Sequence, residues 1–557
     1  MKMKGFILMR QKVIVIGLDC ATFRFIKPYA EEGWLPNLKR IMAKGVSRVL
    51  KSTVPPISPP AWTTFLTGKN PGRHGIFQFV DMDVRNYSFT RNRLINSSLF
   101  SGQTFIDFIS NQNLKVGIIK VPFTYPPWNV NGFMIAGEPS PDWEKAHTYP
   151  SELSDRIGRV NLGSSIDFIR YNTDELLRHL KFDCDVRTRI ACEMLETEKY
   201  DFFMLVHNIT DAAVHRFWKF TDSTCPNYKK HFSSYKNIIR DIYIETDKSI
   251  ERILTKVDQN TTVFFMSDHG AACKPIHFFH PNAWLKEMGY LHCKDRRSSA
   301  QCVRSLLTSI KNFLPPVLRQ LIVHVLQMYV LKKLSAFQTR AANFDWSETR
   351  AYAVNLYTTY DGIALNLKGR QPNGIVEPGT EAERLCNEMQ SAIADIRDPR
   401  NGKKIIEKIY RRDEVFKGCF TDRMPELILQ YNHNYRGGKD TESSLVTDVS
   451  PADFDFQSGD HDENGIFIAC GNNIKKGIEL APAKIQDMAP TILYAMGLPV
   501  PDDMDGQVML DIFEPDFVEK SLVKRVNGKQ WTATQSYELS ENESDKIREK
   551  LKGLGYM

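Results

Sequence analysis

No run of about 20 uncharged apolar residues occurs in the chain, so no segment is expected to span a membrane as a helix. There is no basic stripe interleaved with aromatics, and a net charge of +7 over 557 residues is mild. Nucleic acid is therefore not an expected partner, whereas small anionic substrates suit the balance. The ten cysteines show no CxxC pair and no regular spacing. They read as reduced thiols of a cytoplasmic protein rather than as a disulfide framework. The start, MKMKGFILMRQKVIVIGLDC, superficially has the look of a secretory leader. Arg10 and Lys12 break its apolar run and Asp19 follows closely, so a first buried strand is expected instead. Internal repeats and low-complexity linkers are also missing.

Hydrophobic residues make up 42% and charged residues 25%, an ordinary globular balance. The length suits one large α/β domain with insertions, or several domains. Short apolar, β-branched runs recur at KVIVIGL before Asp19, KVGIIKV (115–121), DFFMLVH (201–207), TTVFFMS (261–267) and GIFIACG (465–471). They predict buried parallel strands. DGIALNL (361–367) and PELILQY (425–431) are further candidates. Helical patterns lie between several of these, at 174–198 and 235–257. The alternation predicts an α/β fold with a mostly parallel central sheet flanked by helices on both faces. Residues 1–284 and 346–513 are assigned to this core. Residues 285–345 are apolar, basic and helical, broken at Pro315 and Pro316, and are expected to form a helical insertion or cap. Residues 514–557 form a tail ending in an amphipathic helix, SENESDKIREKLKGLGYM.

The chemistry-bearing side chains fall beside those strands. Asp19 follows the first, Asp211 and His215 follow the strand ending near His207, and Asp268 and His269 follow TTVFFMS. His461 sits in the loop entering GIFIACG. In open α/β sheets ligands bind outside the carboxyl ends of the strands, so these residues are expected to converge. Carboxylate and imidazole together suit two divalent cations. Asp211 and His215 are four apart and share one face of a helix. Singly, each has an ordinary reading: Asp19, Ser267 or Asp268 as a cap, and D-x-x-x-H as a surface pair. His207, His277 and His280 read as core or supporting histidines.

With these residues in place, the chain resembles the alkaline phosphatase superfamily. It is most similar to the branch of type I phosphodiesterases and nucleotide pyrophosphatases, and within it to a group of predicted phosphohydrolases or phosphomutases. SPPAWTTFLTGKNPGRHGIF (58–77), TDAAVHRFW (210–218), SDHG (267–270) and DHDENGIFIACG (460–471) carry the likeness, which runs from GLDC to DMAPTILYAMGLPVPDDMDG at 487–506. The resemblance implies Ser58 as nucleophile. It implies Asp19, Asp268 and His269, together with the Ser58 hydroxyl itself, as ligands of the cation beside it, and Asp211, His215 and His461 as ligands of a second. Zinc is the first expectation and manganese the second. One cation would activate the Ser58 hydroxyl and the other would stabilise the leaving oxygen of a small phosphorylated substrate. The expected function is a phosphodiesterase or nucleotide-pyrophosphatase-like hydrolase working through a phosphoserine. A phosphomutase using the same intermediate is the alternative, and a catalytically silent binding protein a third reading. Nothing in the sequence fixes the oligomeric state.

Two departures matter. Sulfatases of the superfamily carry a cysteine and, four residues on, an arginine; here Ser58 and Trp62 stand there. Nucleotide pyrophosphatases carry an asparagine after the HG motif, and that position is Phe79, which donates no hydrogen bond. Lys69, Arg73 and Lys120 are the candidates to replace it. Around the nucleophile, Pro59 and Pro60 restrict the backbone, Ala61–Leu66 is expected to be a buried helix, and Gly68 its end. Backbone N–H groups at that helix start are expected to face a phosphate oxygen.

Overall fold

The strand Val13–Leu18 (β1) lies in the middle of a ten-stranded sheet. In this computed structural model, residues 11–87, 90–141, 147–157, 171–223, 225, 228, 233–294, 343–441, 444–450, 453–454, 457–528 and 537–553 are described. Every side chain of β1 is buried. Val13 and Val15 join the hydrophobic core on one face, while Ile14, Ile16 and Leu18 join the core on the other. Successive side chains of a strand point to opposite faces, so a strand covered on both sides must be apolar throughout.

The other central strands are Val46–Lys51 (β2), Val116–Ile119 (β3), Gly132–Ile135 (β4), Thr148–Tyr149 (β5), Phe202–His207 (β6) and Thr262–Met266 (β7). Gly270–Cys273 (β8) and Gly459–Asp462 (β9) form a separate antiparallel pair. Asn464–Cys470 (β10) and Ile478–Glu479 (β11) complete the main path. The order is β11-β2-β10-β7-β1-β6-β3-β4-β5. β1 is parallel to β6 and β7, β6 to β3, and β3 to β4. The mostly parallel sheet expected from the sequence is present.

GIFIACG departs from expectation. β10 runs antiparallel to both β7 and β2. β8 leaves the carboxyl edge of β7, and β9 pairs antiparallel with it. β9 therefore returns to that same edge and feeds β10 from there. The candidates at 361–367 and 425–431 do not join the central sheet. They belong to a four-stranded antiparallel sheet ordered Ala351–Tyr357, Tyr360–Leu365, Leu427–Tyr431, Ile406–Arg411.

Five helices matter below: Ser58–Thr67 (α1), Thr173–Thr197 (α2), Ile209–Thr221 (α3), Ile238–Leu254 (α4) and Glu541–Gly553 (α5). α2, α3 and α4 cover one face of the sheet, and α1 lies on the other. Gly68 ends α1 in the left-handed conformation, φ 66°. α5 buries Ile547 and Leu551 on the α1 side, and the Tyr125 hydroxyl donates to Glu543 Oε1 at 2.6 Å. Most of the expected insertion, residues 295–342, lies outside the described residues. No helix among the described residues is long and apolar enough to cross a membrane.

The cysteines correct an expectation. Cys225, in the loop after α3, is disulfide-bonded to Cys273, the last residue of β8, with Cα atoms 6.2 Å apart. Cys20, Cys184, Cys192, Cys293, Cys386, Cys419 and Cys470 are free thiols. The pairing could not be read from spacing, because chain topology brings the two residues together.

Asp361 in the four-stranded sheet is buried and accepts hydrogen bonds from Tyr431 Oη at 2.7 Å and Asn355 Nδ2 at 2.8 Å. Burial pushes its carboxyl up to about 7 against those two bonds. A carboxyl raised on folding contributes stability at low pH that is lost as pH rises through the folded value. Its contribution to the melting temperature is therefore expected to decline from the ordinary carboxylate range up to about 7 and to be absent above it. In Asp361→Asn the change in melting temperature between about pH 5 and about pH 8 should shrink by about 2 °C, read by calorimetry.

Candidate active site

Five chain segments deliver polar side chains to the carboxyl edge of the sheet. Asp19 follows β1, α3 follows β6, Asp268 and His269 follow β7, and Ser58 opens α1 downstream of β2. The reversed direction of β10 explains the fifth. His461, in β9 just ahead of β10, reaches the same edge because β10 starts there. A parallel β10 would have sent it to the opposite one. Asp19 is fixed by its backbone: its N–H donates to His207 O at 2.9 Å, and Thr210 Oγ1 donates to its carbonyl at 2.5 Å. Those bonds anchor the first turn of α3, which carries Asp211 and, one turn later, His215.

The result is two groups of potential cation ligands, Asp19/Asp268/His269 and Asp211/His269/His461, each with its donor atoms within 4.8 Å of one another. His215 adjoins the second group, with Nε2 3.0 Å from His461 Nε2 and 3.2 Å from Asp211 Oδ1. His269 thus stands between the groups, where the resemblance had placed it in one. Ser58 Oγ is 3.3 Å from His269 Nε2 and therefore sits at their junction.

Donors and acceptors at this site do not balance. Asp19 Oδ1 and Asp268 Oδ2 are buried and receive no hydrogen bond. Burial raises the Asp19 carboxyl well above the usual carboxylate range, and Asp268 and Asp211 add to the rise. Burial also pushes Asp268 up to about 6. His269 is held well below the usual imidazole range by burial and by His461. Burial favours a neutral Asp211, yet His215 and His461 overcome it and hold that carboxyl well below its ordinary value. The histidines are oriented from behind. His269 Nδ1 lies 3.1 Å from Gly270 O and His461 Nδ1 3.0 Å from Pro56 O. A carbonyl only accepts, so Nδ1 carries the hydrogen and a bare Nε2 faces the cluster, as in histidine cation ligands. Excess buried acceptors plus such imidazoles fit divalent cations.

The other expected residues are placed differently. Lys69 and Arg73 lie beyond the far end of α1, about 15 Å along the helix from Ser58. They pair there with Asp503 at 2.6 Å and Asp505 at 3.2 Å, so the structure does not bring them to Ser58. Lys120 follows β3 at the carboxyl edge, but it is buried and faces Glu138 at 3.4 Å. Phe79 is buried against Phe123, with ring centroids 5.7 Å apart. The helix start offers fewer N–H groups than expected: Pro59 and Pro60 have none, and Ala61 N donates to Ile57 O at 3.1 Å. Of these, only the N–H of Ser58 itself is left to meet an anion. His207 is buried against Ser249, His277 contacts Asp448, and His280 contacts Thr447. Tyr357, which no motif marks, stacks on His461 at 5.1 Å and donates its hydroxyl to Asp460 Oδ1 at 2.8 Å.

Fold and site together define a mixed α/β protein that gathers carboxylate and imidazole side chains at the carboxyl edge of its mostly parallel sheet. The chain belongs to the type I phosphodiesterase / nucleotide pyrophosphatase family, whose profile matches residues 13–448, and it is accordingly a phosphoester hydrolase. Ser58 and five of the candidate ligands fall inside that match; His461 lies beyond it. A comparison with curated proteins finds no match. Among solved structures, murine ectonucleotide pyrophosphatase / phosphodiesterase 5 is 11% identical, covering 90% of this chain and 100% of that one with a TM-score of 0.46. Phosphonoacetate hydrolase from Sinorhizobium meliloti is 13% identical over 87% of this chain and 95% of its own, also with a TM-score of 0.46. The family assignment rests on the profile match rather than on these distant likenesses.

The chelator-stripped protein is expected to gain thermal stability when zinc or manganese is added, by about 3 kcal/mol at a hundredfold excess over Kd. The gain should fade as pH drops through about 6, where Asp268 takes up its proton. Asp268→Asn should lose it. Calorimetry with and without cation checks all three.

Proposed function

We propose that the chain cleaves small phosphodiesters through a covalent phosphoserine on Ser58, with two divalent cations, zinc before manganese, held by Asp19, Asp268, His269, Asp211, His215 and His461. The observation that carries this reading is the position of Ser58 Oγ, 3.3 Å from His269 Nε2, at the junction of both ligand groups. When bound, the cations supply electrophilic stabilisation of the phosphoryl oxygens and make the Ser58 hydroxyl and, later, water more acidic.

The chain's own contribution is orientation. Ser58 is the first residue of α1, and the two prolines behind it limit the backbone conformations from which the hydroxyl can attack. The buried Trp62, one turn on, anchors α1 in the core. The N–H of Ser58 is placed to donate to a non-bridging oxygen of a phosphorus seated over Oγ. Phe79 supplies no side-chain amide of the kind nucleotide pyrophosphatases use on a phosphate oxygen, so the substrate is read as a phosphodiester not restricted to nucleotides. Hydrolysis and transfer back to a substrate hydroxyl share the phosphoserine and differ in whether water reaches it.

Ser58→Ala is expected to lower turnover of a bis-aryl phosphate at least about 10³-fold while leaving cation uptake intact. Wild-type activity in that variant would remove the nucleophile. Solvent ¹⁸O in the released phosphomonoester is the expected mark of hydrolysis, and its absence would turn the reading to a mutase.

A further inference from the structure

Behind His215 the polar groups are arranged differently from those behind His269 and His461. Its Nδ1 lies 3.0 Å from Gly459 O, an acceptor, and also 2.8 Å from the side-chain nitrogen of Gln457. The other end of the Gln457 amide, Oε1, receives a hydrogen bond from Lys274 Nζ at 3.2 Å. An ammonium has hydrogens to give and no lone pair. The amide end beside Lys274 must therefore be oxygen, and the end beside His215 must be NH2, which donates. A ring nitrogen that accepts from Gln457 cannot also donate to Gly459 O.

The three residues are clamped together. Lys274 is buried and its N–H donates to Ser458 O at 3.0 Å, while the Ser458 N–H donates to His215 O at 2.7 Å. Gly459 packs directly on α3: a Cβ there would lie 2.3 Å from Val214 O. The segment has no room to slide away from the ring.

We propose that Lys274, acting through Gln457, holds the His215 proton on Nε2 in the cation-free protein and so weakens the cation position that His215 serves. In that tautomer Nε2–H faces the bare His461 Nε2, 3.0 Å away, with the Asp211 carboxylate 3.2 Å away. Ligation needs the Nε2 lone pair. The proton must then sit on Nδ1, where Gly459 O accepts it, and the Gln457 amide must turn. Turning sets its NH2 against the Lys274 ammonium. His269 and His461, whose Nδ1 atoms meet carbonyls, face no such contest. Lys274 and Gln457 are thus positioning residues that make the two cation positions unequal, an inference that rests on the two-cation reading above.

Zinc titration of the chelator-stripped full-length chain, read by competition with a chromophoric chelator, tests this. The native protein is expected to show two unequal steps. Gln457→Met, neutral and close in size, should tighten the weaker step about tenfold and leave the stronger one unchanged. Lys274→Met should do the same, and the double variant should gain less than the product of the two. A supporting role for Gln457 predicts the opposite sign, so a weaker step that loosens or stays put in Gln457→Met overturns the proposal. Equal steps in the native protein overturn it as well, as does a double variant whose gains multiply. A native protein that takes up no zinc contradicts the two-cation reading itself, and this inference falls with it.

Discussion

Asp19 and Asp268 meet at the carboxyl edge of the sheet with fewer hydrogen-bond donors than their oxygens require. Leaving an ionised carboxylate buried without a partner costs several kcal/mol, and two of them side by side cost more. The chain tolerates this because β1 and β7 are adjacent central strands, each paired along its length, whose ends cannot drift apart. In the reading proposed above, a divalent cation between the carboxylates would offset the cost, and the surrounding elements would supply the rest of its coordination. α3 is tied to Asp19 through His207 and Thr210, and α1 brings Ser58 to within reach of His269. The Cys225–Cys273 disulfide joins the loop beyond α3 to the strand beyond His269, so one covalent link spans both ligand groups.

The direction of β10 is the least obvious feature on which the site depends. Its apolar run, GIFIACG, has the composition of a buried strand, and composition carries no sign for direction. The four parallel runs and their flanking aspartates were legible because both faces of the sheet are covered and ligand-bearing loops follow strand ends. His461 was grouped with the other candidates from its loop beside GIFIACG, although it precedes its strand instead of following it. A residue preceding a parallel strand would lie at the wrong edge, and only the β8–β9 pairing turns it round.

Other features were hidden for definable reasons. The runs at 361–367 and 425–431 are buried on both sides and so look like central strands, yet they close an antiparallel sheet of their own. Lys69 and Arg73 follow Ser58 closely in sequence, but a helix converts that spacing into length, and they end in ion pairs with Asp503 and Asp505. Tyr357, Gln457 and Lys274 carry no motif at all. Tyr357 and Gln457 touch histidines, and Lys274 touches Gln457, from segments far away in the chain, a relation that appears only once the fold is built. Apart from them, the residues that bear the chemistry lie at strand ends and helix starts, where topology makes position predictable. The residues that orient them lie wherever packing allows.

The central claim, that Ser58 is the atom-transferring group of a two-cation site, is tested most directly by mass spectrometry of the peptide containing Ser58 after acid quench during turnover. The account predicts, with a bis-aryl phosphate, an aryl-phosphoryl adduct on Ser58 that forms as the first phenol leaves, precedes the released aryl phosphate and disappears when substrate is exhausted. Product forming at full rate while that peptide stays unmodified throughout would contradict it.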